Sequence, residues 1–469
     1  MNNIRIINDE YLKEIASTIR KLQHSENKYT ATEMAENILN SDFGIMFNSD
    51  WGGAIINDGL SLPNKYASNV QEFFPIIGYG VTNCYRTFFN CRNAIGEPIV
   101  KSNLVNSMGE TFADCWRITG APQCGTNVTN LTKAYYNCVS LDGEMKAIDP
   151  TFINVKLAAQ AFYNDSNLHG KAVYLENATN LYQTYWHCSA LDGYGYIGKN
   201  VTDAREAFMD CYNLKGAMIV GSDKTPSKLV TMQNAYRNCY NIIDGLETYG
   251  DYNINLSAVT NMDNAFANCY NMKGIPYVSP LVSNAGLMNA YYECQNIYGA
   301  PMFSPLATDG QNMYYNCGNL TGMMNEGTYE KIARVDYMFY NCHNIHGSMF
   351  FPAKATNIVN AFTNCSKLGG LYFACTNASL LKAVNMANAF VRPKGSDRLN
   401  IVFAAVAVFN VARANSVTGC DMSTAEINNG MIVNLPYCYN NGKIYGFTNK
   451  VCNRISYNEE YNIYMYSMT

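Results

Sequence analysis

Cysteine beside histidine is the most reactive pairing in this sequence. Cys342, His343 and His346 form a C-H-x-x-H cluster, and His187 precedes Cys188. Cys and His are the usual ligands of zinc, and a Cys paired with a His can act as a nucleophile. Adjacent Cys and His side chains rarely point at one ion, however, and no third orienting group recurs beside His187. We therefore predict neither a metal site nor a catalytic site here.

A glycine motif and the acidic residues are the other candidates for a binding or catalytic site. Residues 193–198 read Gly-Tyr-Gly-Tyr-Ile-Gly, which is a literal G-x-G-x-x-G. A dinucleotide site needs this motif between a strand and a long helix, whereas here it falls in the turn and strand region of a repeat. Asp and Glu are scattered without a recurring carboxylate pair, so no glycosidase site can be located. We predict that the protein is not an enzyme and binds no cofactor.

Composition narrows the class of protein. The chain has 469 residues, 15% of them charged, and a net charge of −4, which disfavours a nucleic-acid binder. Its N-terminus is charged throughout and lacks the apolar region of a secretory signal. The most apolar run, at 401–409, is too short to span a bilayer. Seventeen cysteines, an odd number at wide spacing, favour reduced and buried thiols over a disulfide framework.

The cysteines mark a repeat. Twelve copies align, and neighbouring centres lie 23 to 30 residues apart, a period typical of a solenoid. We call the copies coils 1 to 12 and count positions from the central residue, so that position −3 is aromatic in every coil. Eleven centres are Cys and one is Asp: Cys91, Cys115, Cys138, Asp165, Cys188, Cys211, Cys239, Cys269, Cys294, Cys317, Cys342 and Cys365.

Spacing within a coil predicts a short helix followed by a strand. In coil 8, Met262, Ala265, Phe266 and Cys269 stand at i, i+3, i+4 and i+7, the pattern of one buried helix face. Residues such as Asn130, Asn180, Asp203 and Asn261 directly precede this run in their coils and are good helix N-caps. Asn and Gly after the cysteine end the helix, and short apolar pieces such as 217–220 and 348–351 follow as strands. The predicted fold class is α/β, a leucine-rich-repeat-like solenoid of 12 to 13 coils with a spine of stacked cysteines.

The repeat core also resembles a known family. Its A-F-x-x-C-x-x-L pattern, as in Ala361, Phe362, Cys365 and Leu368, resembles the BspA-like class of bacterial leucine-rich repeats over roughly 83–375. The chain departs from that class in its Asn-rich loops, in lacking the Ile-x-Ile-Pro strand and in lacking a signal peptide. The resemblance implies a leucine-rich-repeat fold, and the departures weaken the implication of cell-surface anchoring.

The first forty residues carry a second resemblance. Residues 11–39 predict two helices around a polar turn, too small to be stable without a partner. Their sequence pattern is Leu-x-x-Ile-Ala-x-x-Ile-Arg followed by Tyr-Thr-x-x-Glu-Met-Ala. It resembles the N-terminal segment of many bacteriophage minor structural and tail proteins. The resemblance implies a virion component made in the host cytoplasm and released by lysis. The residues expected to attach it to the particle are Leu12, Ile15, Ala16, Ile19 and Met34.

The period is lost beyond 375, where a cap is expected. A terminal coil exposes an apolar cross-section and needs covering. Pro393 stops the last repeat pattern, and Asn441-Gly442 between aromatic-rich runs predicts a hairpin. We therefore divide the chain into a helical attachment segment at 1–45, a linker and N-terminal cap at 46–82, the solenoid at 83–392 and a strand-rich C-terminal cap at 393–469.

Surface aromatics give the candidate binding face. Positions −2 and +1 vary between coils and are often aromatic, and they lie three residues apart, hence on one side of the predicted helix. Alternatively, these rings pack between coils or against a sister subunit. The residues are Trp116, Tyr136, Tyr163, Trp186, Tyr212, Tyr240, Tyr270, Tyr292, Tyr315 and Tyr340.

The expected function follows from the fold and the second resemblance. We expect a phage structural protein of the tail, baseplate or fibre whose solenoid presents a recognition or assembly surface. Expected partners are other virion proteins, sister copies and a host surface glycan or protein, with no nucleic acid and no membrane insertion. A bacterial surface adhesin with leucine-rich repeats and a cytosolic interaction scaffold are the alternatives; tail or capsid genes next door would favour the phage protein.

Overall fold

The structure is a computed structural model that describes most of the repeat region. It describes residues 81–219, 226–244, 256–322, 331–351, 357–373, Glu72, Gly78, Ala355, Ala389 and the strands of the two ends. Fourteen strands are placed in this part of the chain: β1 Ile45–Asn48, β2 Gly53–Ile56, β3 Phe74–Ile77, β4 Ile99–Val100, β5 Glu144–Met145, β6 His169–Gly170, β7 Tyr194–Ile197, β8 Gly216–Ile219, β9 Gly347–Phe351, β10 Leu368–Phe373, β11 Asn400–Phe403, β12 Ile432–Pro436, β13 Cys452–Asn458 and β14 Ile463–Met468.

Parallel pairing joins successive coils, and antiparallel strands stand at both ends. The first sheet has the order β1-β2-β3-β4, in which only β1 is antiparallel to its neighbour. The last sheet has the order β13-β14-β12-β11-β10-β9, where β9 to β12 are parallel and β14 runs antiparallel to both β12 and β13. Between them, β5 pairs with β6 and β7 with β8. The apolar pieces at 217–220 and 348–351 overlap β8 and β9.

A column of single parallel bridges runs along the solenoid at position −8. It connects Asn130 to Leu157, Leu157 to Asn180 and Asn180 to Asp203, and it continues in the same way from Asn83 to Asn261. Coil therefore lies on coil in constant register, as expected for a repeat array in which each unit contacts its neighbours.

The predicted short helix of each coil is wrong. The described residues contain no α-helix, and their one helical element is the single 3-10 turn Pro150–Phe152. Positions −5 and −1 have positive φ in all twelve coils, between 52° and 65°. A left-handed residue every four positions interrupts an α-helix, because L-residues build only right-handed helices. The helix pattern instead belongs to a series of tight turns.

Hydrogen bonds show how these turns replace the helix. In coil 8 the N–H groups of Asn264 and Asn268 donate to carbonyls of coil 9 at 2.9 and 2.7 Å. The N–H groups of Ala267 and Cys269, the residues on either side of Asn268, donate to the carbonyls three residues before them, at 3.2 and 3.1 Å. Successive N–H groups thus alternate between two roles: one bonds to the next coil, and the one after it closes a turn within its own coil. A helix would direct all of them within its own segment.

The residues expected to be helix N-caps do accept backbone N–H groups, but they do so in turns and not at the start of a helix. The side chains of Asn130, Asn180, Asp203 and Asn261 each accept the backbone N–H two residues on, at 2.7 to 3.1 Å. This is the Asx-turn, in which a side-chain oxygen mimics a backbone carbonyl. These residues therefore begin a run of turns, not a helix.

Twelve stacked aromatic rings form the centre of the core. Position −3 is buried in every coil, and each ring stacks on the next with centroids 5.1 to 5.8 Å apart. Where the ring is a tyrosine, its hydroxyl crosses the core to a backbone carbonyl, as Tyr185 does to Val173 at 3.2 Å and Tyr314 to Met302 at 2.7 Å. The phenol is thereby satisfied without leaving the stack.

The cysteine column has a hydrogen-bonding role as well as a packing role. From coil 2 onward, every central thiol donates to the carbonyl of the position −3 aromatic in the preceding coil, at 2.9 to 3.1 Å. All thirteen cysteines described as free are buried. Burial raises the pKa of Cys91 to about 12 and that of Cys342 well above its usual value. These thiols are small, apolar donors in the protonated state.

Asp165 breaks this column. It is fully buried, its Oδ1 accepts the N–H of Cys138 at 2.8 Å, and its Oδ2 has no hydrogen-bond partner. Burial raises the pKa of Asp165 well above its ordinary value, and the N–H of Cys138 offsets only part of that effect. Coil 4 therefore holds an acid where every other coil holds a thiol.

The two ends of the chain are described only in part. The predicted helices at 11–39 and the predicted turn at Asn441-Gly442 lie outside the described residues. Within 393–469 the structure describes strands β11 to β14, and the antiparallel pair β13–β14 carries a register shift between Arg454 and Ser456. The proposed segment boundaries stay predictions. No helix within the described ranges has the length and apolarity needed to cross a bilayer.

Replacing Phe266 by Ala tests the central stack. Phe266 is fully buried between Tyr236 and Tyr291, at ring distances of 5.6 and 5.5 Å. We expect a loss of about 3–5 kcal/mol, the usual cost of emptying a buried aromatic site, measured as a lower urea midpoint. Tyr270→Ala, at a half-exposed ring of the same coil, should cost clearly less. Equal losses would contradict the assignment.

Replacing Asp165 by Cys should stabilise the protein in a pH-dependent way. The unfolded carboxyl loses its proton near pH 4, whereas the buried one retains it to higher pH. The native protein therefore loses stability as the pH rises above 4, and the Cys variant escapes that loss. The variant's gain in urea midpoint should be small at pH 4 and larger at pH 7. The exposed Asp192→Cys controls for the exchange itself, and a gain independent of pH would refute a raised pKa at Asp165.

Candidate functional site

A single row of half-buried aromatic rings follows the solenoid. Nine of the ten rings predicted at positions −2 and +1, all except Trp116, fall into three blocks that stack internally, with centroids 4.5 to 5.2 Å apart. Coils 3 to 5 use position −2, coils 6 to 8 use position +1, and coils 9 to 11 return to position −2. The blocks are Tyr136–Tyr163–Trp186, Tyr212–Tyr240–Tyr270 and Tyr292–Tyr315–Tyr340.

One ring per coil is the rule of this row. In each of coils 1 to 11, one and only one of the two positions is Phe, Tyr or Trp. The sequence prediction missed Phe89 of coil 1, which obeys the rule and carries the guanidinium of Arg86 at 4.0 Å from its ring centroid. We call the row the aromatic ridge: Phe89, Trp116 and the nine residues of the three blocks. The other member of each pair is the companion position, and most companions are small, such as Ala113, Ser166 and Gly318.

The steps between blocks are bridged by other groups. Trp186 ends the first block and lies 5.4 Å from the ring of His187, which meets Tyr212 edge-on at 5.9 Å. At the N-terminal end, the guanidinium of Arg92 lies 4.4 Å from the Trp116 ring. The ridge is therefore continuous from the first block to the second, through the ring of His187.

Stacking determines which part of each ring can meet a partner. Inside a block both faces of the middle ring, such as Tyr163 or Tyr240, are covered by its neighbours. A sugar that stacks on an aromatic residue needs a free ring face, so the middle rings are poor sugar platforms. The ridge offers ring edges and phenol groups instead. Partial burial raises the pKa of several of these phenols, which stay neutral donors: Tyr163, Tyr212, Tyr270, Tyr292 and Tyr315.

An asparagine ladder lies between the ridge and the cysteine column. At position −1, the side-chain amide of Asn238 donates to Asp210 at 2.6 Å, and that of Asn268 donates to Asn238 at 2.7 Å. Corresponding bonds join Asn137 to Asp114, Asn164 to Asn137, Asn316 to Glu293 and Asn364 to Asn341, at 2.6 to 3.1 Å. Asn also tolerates the positive φ of this position. The sequence prediction missed the ladder, although the recurrence of Asn before Cys is its signal.

The reactive-looking clusters serve the fold. The thiol of Cys342 is buried and donates to Tyr314, while His343 and His346 are exposed and contact backbone carbonyls of Asn364 and Asn344 at 2.9 and 3.2 Å. Cys188 likewise donates into the core. Among the residues that the structure describes, no group of three or more His, Cys, Asp and Glu is placed to hold a metal ion.

The glycine motif packs against the aromatic stack. Residues 194–197 form β7, which pairs with β8 and not with a helix. A Cβ on Gly195 would come within 3.0 Å of Tyr236 and 3.1 Å of Phe208, so glycine is needed there for close packing. The residues predicted to attach to the particle, from Leu12 to Met34, lie outside the described residues.

Comparison with known proteins identifies the repeat. Residues 260–385 match the family model described as BspA type leucine rich repeat region, in six copies. Over these residues the chain carries leucine-rich repeats of the BspA type. The match begins at residue 260, directly before Asn261 at position −8 of coil 8, and coils 1 to 7 share the left-handed turns and the aromatic stack.

A search of curated proteins finds no match to the chain. Among solved structures, a leucine-rich repeat protein from Bacteroides ovatus ATCC 8483 is similar over 76% of this chain and 92% of its own, at 14% identity and a TM-score of 0.36.

Substitutions at Asn238 separate the turn conformation of these coils from a helix. Asn238 has a φ of 63° and makes two ladder bonds. Gly loses the bonds but tolerates this φ, whereas Ala also pays about 1–2 kcal/mol for a left-handed backbone. We expect Asn238→Ala to unfold at lower urea than Asn238→Gly. In a helix the order would be reversed, since Gly costs about 1 kcal/mol more than Ala.

The control for this comparison is Asn271, an exposed residue that is not among the positive-φ positions. There the Ala variant should be at least as stable as the Gly variant. The same order at Asn238 and Asn271 would contradict the left-handed assignment.

Proposed function

We propose that the chain is a non-enzymatic structural protein of a bacteriophage particle, in the tail, baseplate or a fibre. In this proposal the first forty residues attach it to the particle, and the BspA-type solenoid presents the aromatic ridge to a partner. The protein is then made in the host cytoplasm and acts in the virion, without nucleic acid and without inserting into a membrane.

The aromatic ridge is the observation that supports an interaction role. Its rings lie outside the buried column at position −3, so the fold does not need aromatics there for its core. Tyr and Trp on a surface supply large, rigid contact area and are enriched at binding hot spots. Because the middle rings have covered faces, the ridge suits a protein partner better than a stacked sugar. Virion proteins, sister copies of this chain among them, are therefore our first candidates, and a host surface protein or glycan is the next.

The state of the thiols supports a role without catalysis. A catalytic cysteine needs an exposed site and a lowered pKa. Burial instead raises the pKa of central cysteines such as Cys115 and Cys317 well above the usual value, and both thiols donate to carbonyls. We assign these residues to the fold.

A placement in the virion rests on the N-terminal resemblance. Leu12, Ile15, Ala16, Ile19 and Met34 are the residues that we propose dock on the particle. Each coil contacts only its neighbours, so removing this segment should leave the solenoid folded.

Deletion of residues 1–40 tests this proposal. We expect the shortened protein to keep the circular dichroism and urea midpoint of the full chain, and to be missing from purified particles by mass spectrometry. The matched control is Leu12→Ala with Ile15→Ala in the full-length chain, which should also lower incorporation. Normal incorporation of both proteins would sink the attachment role, and absence of the full chain from particles would sink the virion role.

A bacterial surface adhesin is the second candidate, because the repeats are of the BspA type. Protease treatment of intact producing cells distinguishes the two. Digestion of the chain on intact cells would favour the adhesin, while protection until lysis favours the virion protein.

A further inference from the structure

The alternation between ridge and companion positions gives the surface a self-complementary shape. At each of coils 1 to 11 a ring of Phe, Tyr or Trp stands at one position and a companion that is none of these three stands at the other. The companion is small in six of these coils, which leaves a groove beside the ring there, and ring and companion exchange positions at coils 2, 3, 6 and 9. A partner that fits along the whole length must have a ridge that steps sideways at the same coils.

A second copy of this chain meets that requirement. Rotation by 180° about an axis parallel to the solenoid brings each coil opposite the same coil and exchanges the two lateral positions. The ring of one copy then faces the companion of the other in all eleven coils. We propose that the aromatic ridge is the interface of a parallel homodimer with this two-fold symmetry. Such an interface is isologous, the commonest type in homo-oligomers.

The residues brought together are compatible in chemistry. In coil 10 the ring of Tyr315 in one copy faces Gly318 of the second copy, where no side chain obstructs it. In coil 7 Arg237 of one copy faces Tyr240 of the second, an arrangement that suits a cation–π contact. In coil 11 His343 faces Tyr340. Six rings meet a small companion and four meet the flexible side chain of Arg, Met or Gln, whereas Tyr340 meets the smaller imidazole ring of His343.

Pitch and size also favour a second copy. The rings repeat every 4.5 to 5.2 Å within blocks, and a second solenoid of identical pitch stays in register with them over eleven coils. If each of the eleven coils contributes its ring, its companion and one neighbouring residue, each copy supplies about thirty residues. A stable interface has roughly 20–30 residues a side. The parallel arrangement places both N-termini at one end. This last point rests on the proposed attachment to a particle, whereas the shape argument does not.

Filling the groove at Gly318 tests the interface. A Cβ at Gly318 would lie 3.7 Å from His343 and 3.8 Å from Asn341, which are ordinary contacts, and its φ is not positive. The monomer therefore accepts a side chain there. We expect the full chain to be a dimer by light scattering during gel filtration. Gly318→Arg should weaken dimerisation by about tenfold or more, as for the loss of a central interface contact. Its urea midpoint should equal that of the wild type at a protein concentration low enough for both chains to be monomeric.

The matched control adds the same side chain elsewhere. Ile148 is 84% exposed and lies away from the ridge, so Ile148→Arg should remain dimeric. A wild-type chain that is monomeric at all concentrations overturns the proposal, and so does a Gly318→Arg variant that dimerises normally. Neither result bears on incorporation of the chain into particles, which tests the proposed function separately.

Cysteine crosslinking tests the parallel register. A Gly318→Cys chain mixed with a Tyr315→Cys chain should form a disulfide-linked heterodimer, because the parallel two-fold puts these positions face to face. An antiparallel dimer centred on coil 7 would put Gly318 opposite Ser166, so crosslinking of Gly318→Cys with Ser166→Cys overturns the register. The wild-type chain gives the background from native cysteines.

Discussion

The structure depends on how each coil divides its backbone N–H groups. Every second N–H between positions −7 and −1 donates to the next coil, and the intervening ones close turns within the coil. This division requires a left-handed residue at positions −5 and −1 of every coil. Because it fixes one coil directly over the next, like atoms lie over like atoms along the solenoid. The ring stack, the thiol bonds and the asparagine ladder all follow from that register, since each joins the same position in successive coils.

Much of the core could be predicted from sequence, but its backbone could not. The buried positions of coil 8, Met262, Ala265, Phe266 and Cys269, were correctly assigned as one apolar face. The helix was wrong because spacings of three and four are shared by a helix and by a series of four-residue turns that points the same residues inward. Asn at positions −5 and −1 favours the turns, and a two-turn helix has little stability of its own to compete with them. Local composition was the better guide here than periodicity.

The candidate site was predictable in its residues and not in its geometry. Ten of the eleven ridge positions follow from aromatic content alone, because the repeat fixes which positions are equivalent. Whether neighbouring rings stack, stand apart or expose their faces depends on the separation and register of coils, which no single repeat contains. The same reason hid the role of Asn268, whose partner, Asn238, lies thirty residues earlier in the chain. The sequence shows that Asp165 replaces a cysteine. Only the structure shows that this carboxyl is buried with one oxygen lacking a hydrogen-bond partner, which raises its pKa.

Separation of the core from the surface leaves the ridge free to vary. Position −3 must carry a ring because it stacks within the core, whereas positions −2 and +1 lie outside that stack. Exchanging Tyr163 and Ser166 between their positions would move a ring sideways without altering the thiol, the left-handed residues or the bonds between coils. The coils at which the ring moves between positions −2 and +1 can therefore change, and with them the partner that fits, at little cost in stability. Since the turns hold every ring at a fixed pitch, the surface is ordered before it binds, which lowers the entropy lost on association. A rigid, stepped surface of this kind discriminates by shape, and it rejects any partner whose steps fall at other coils.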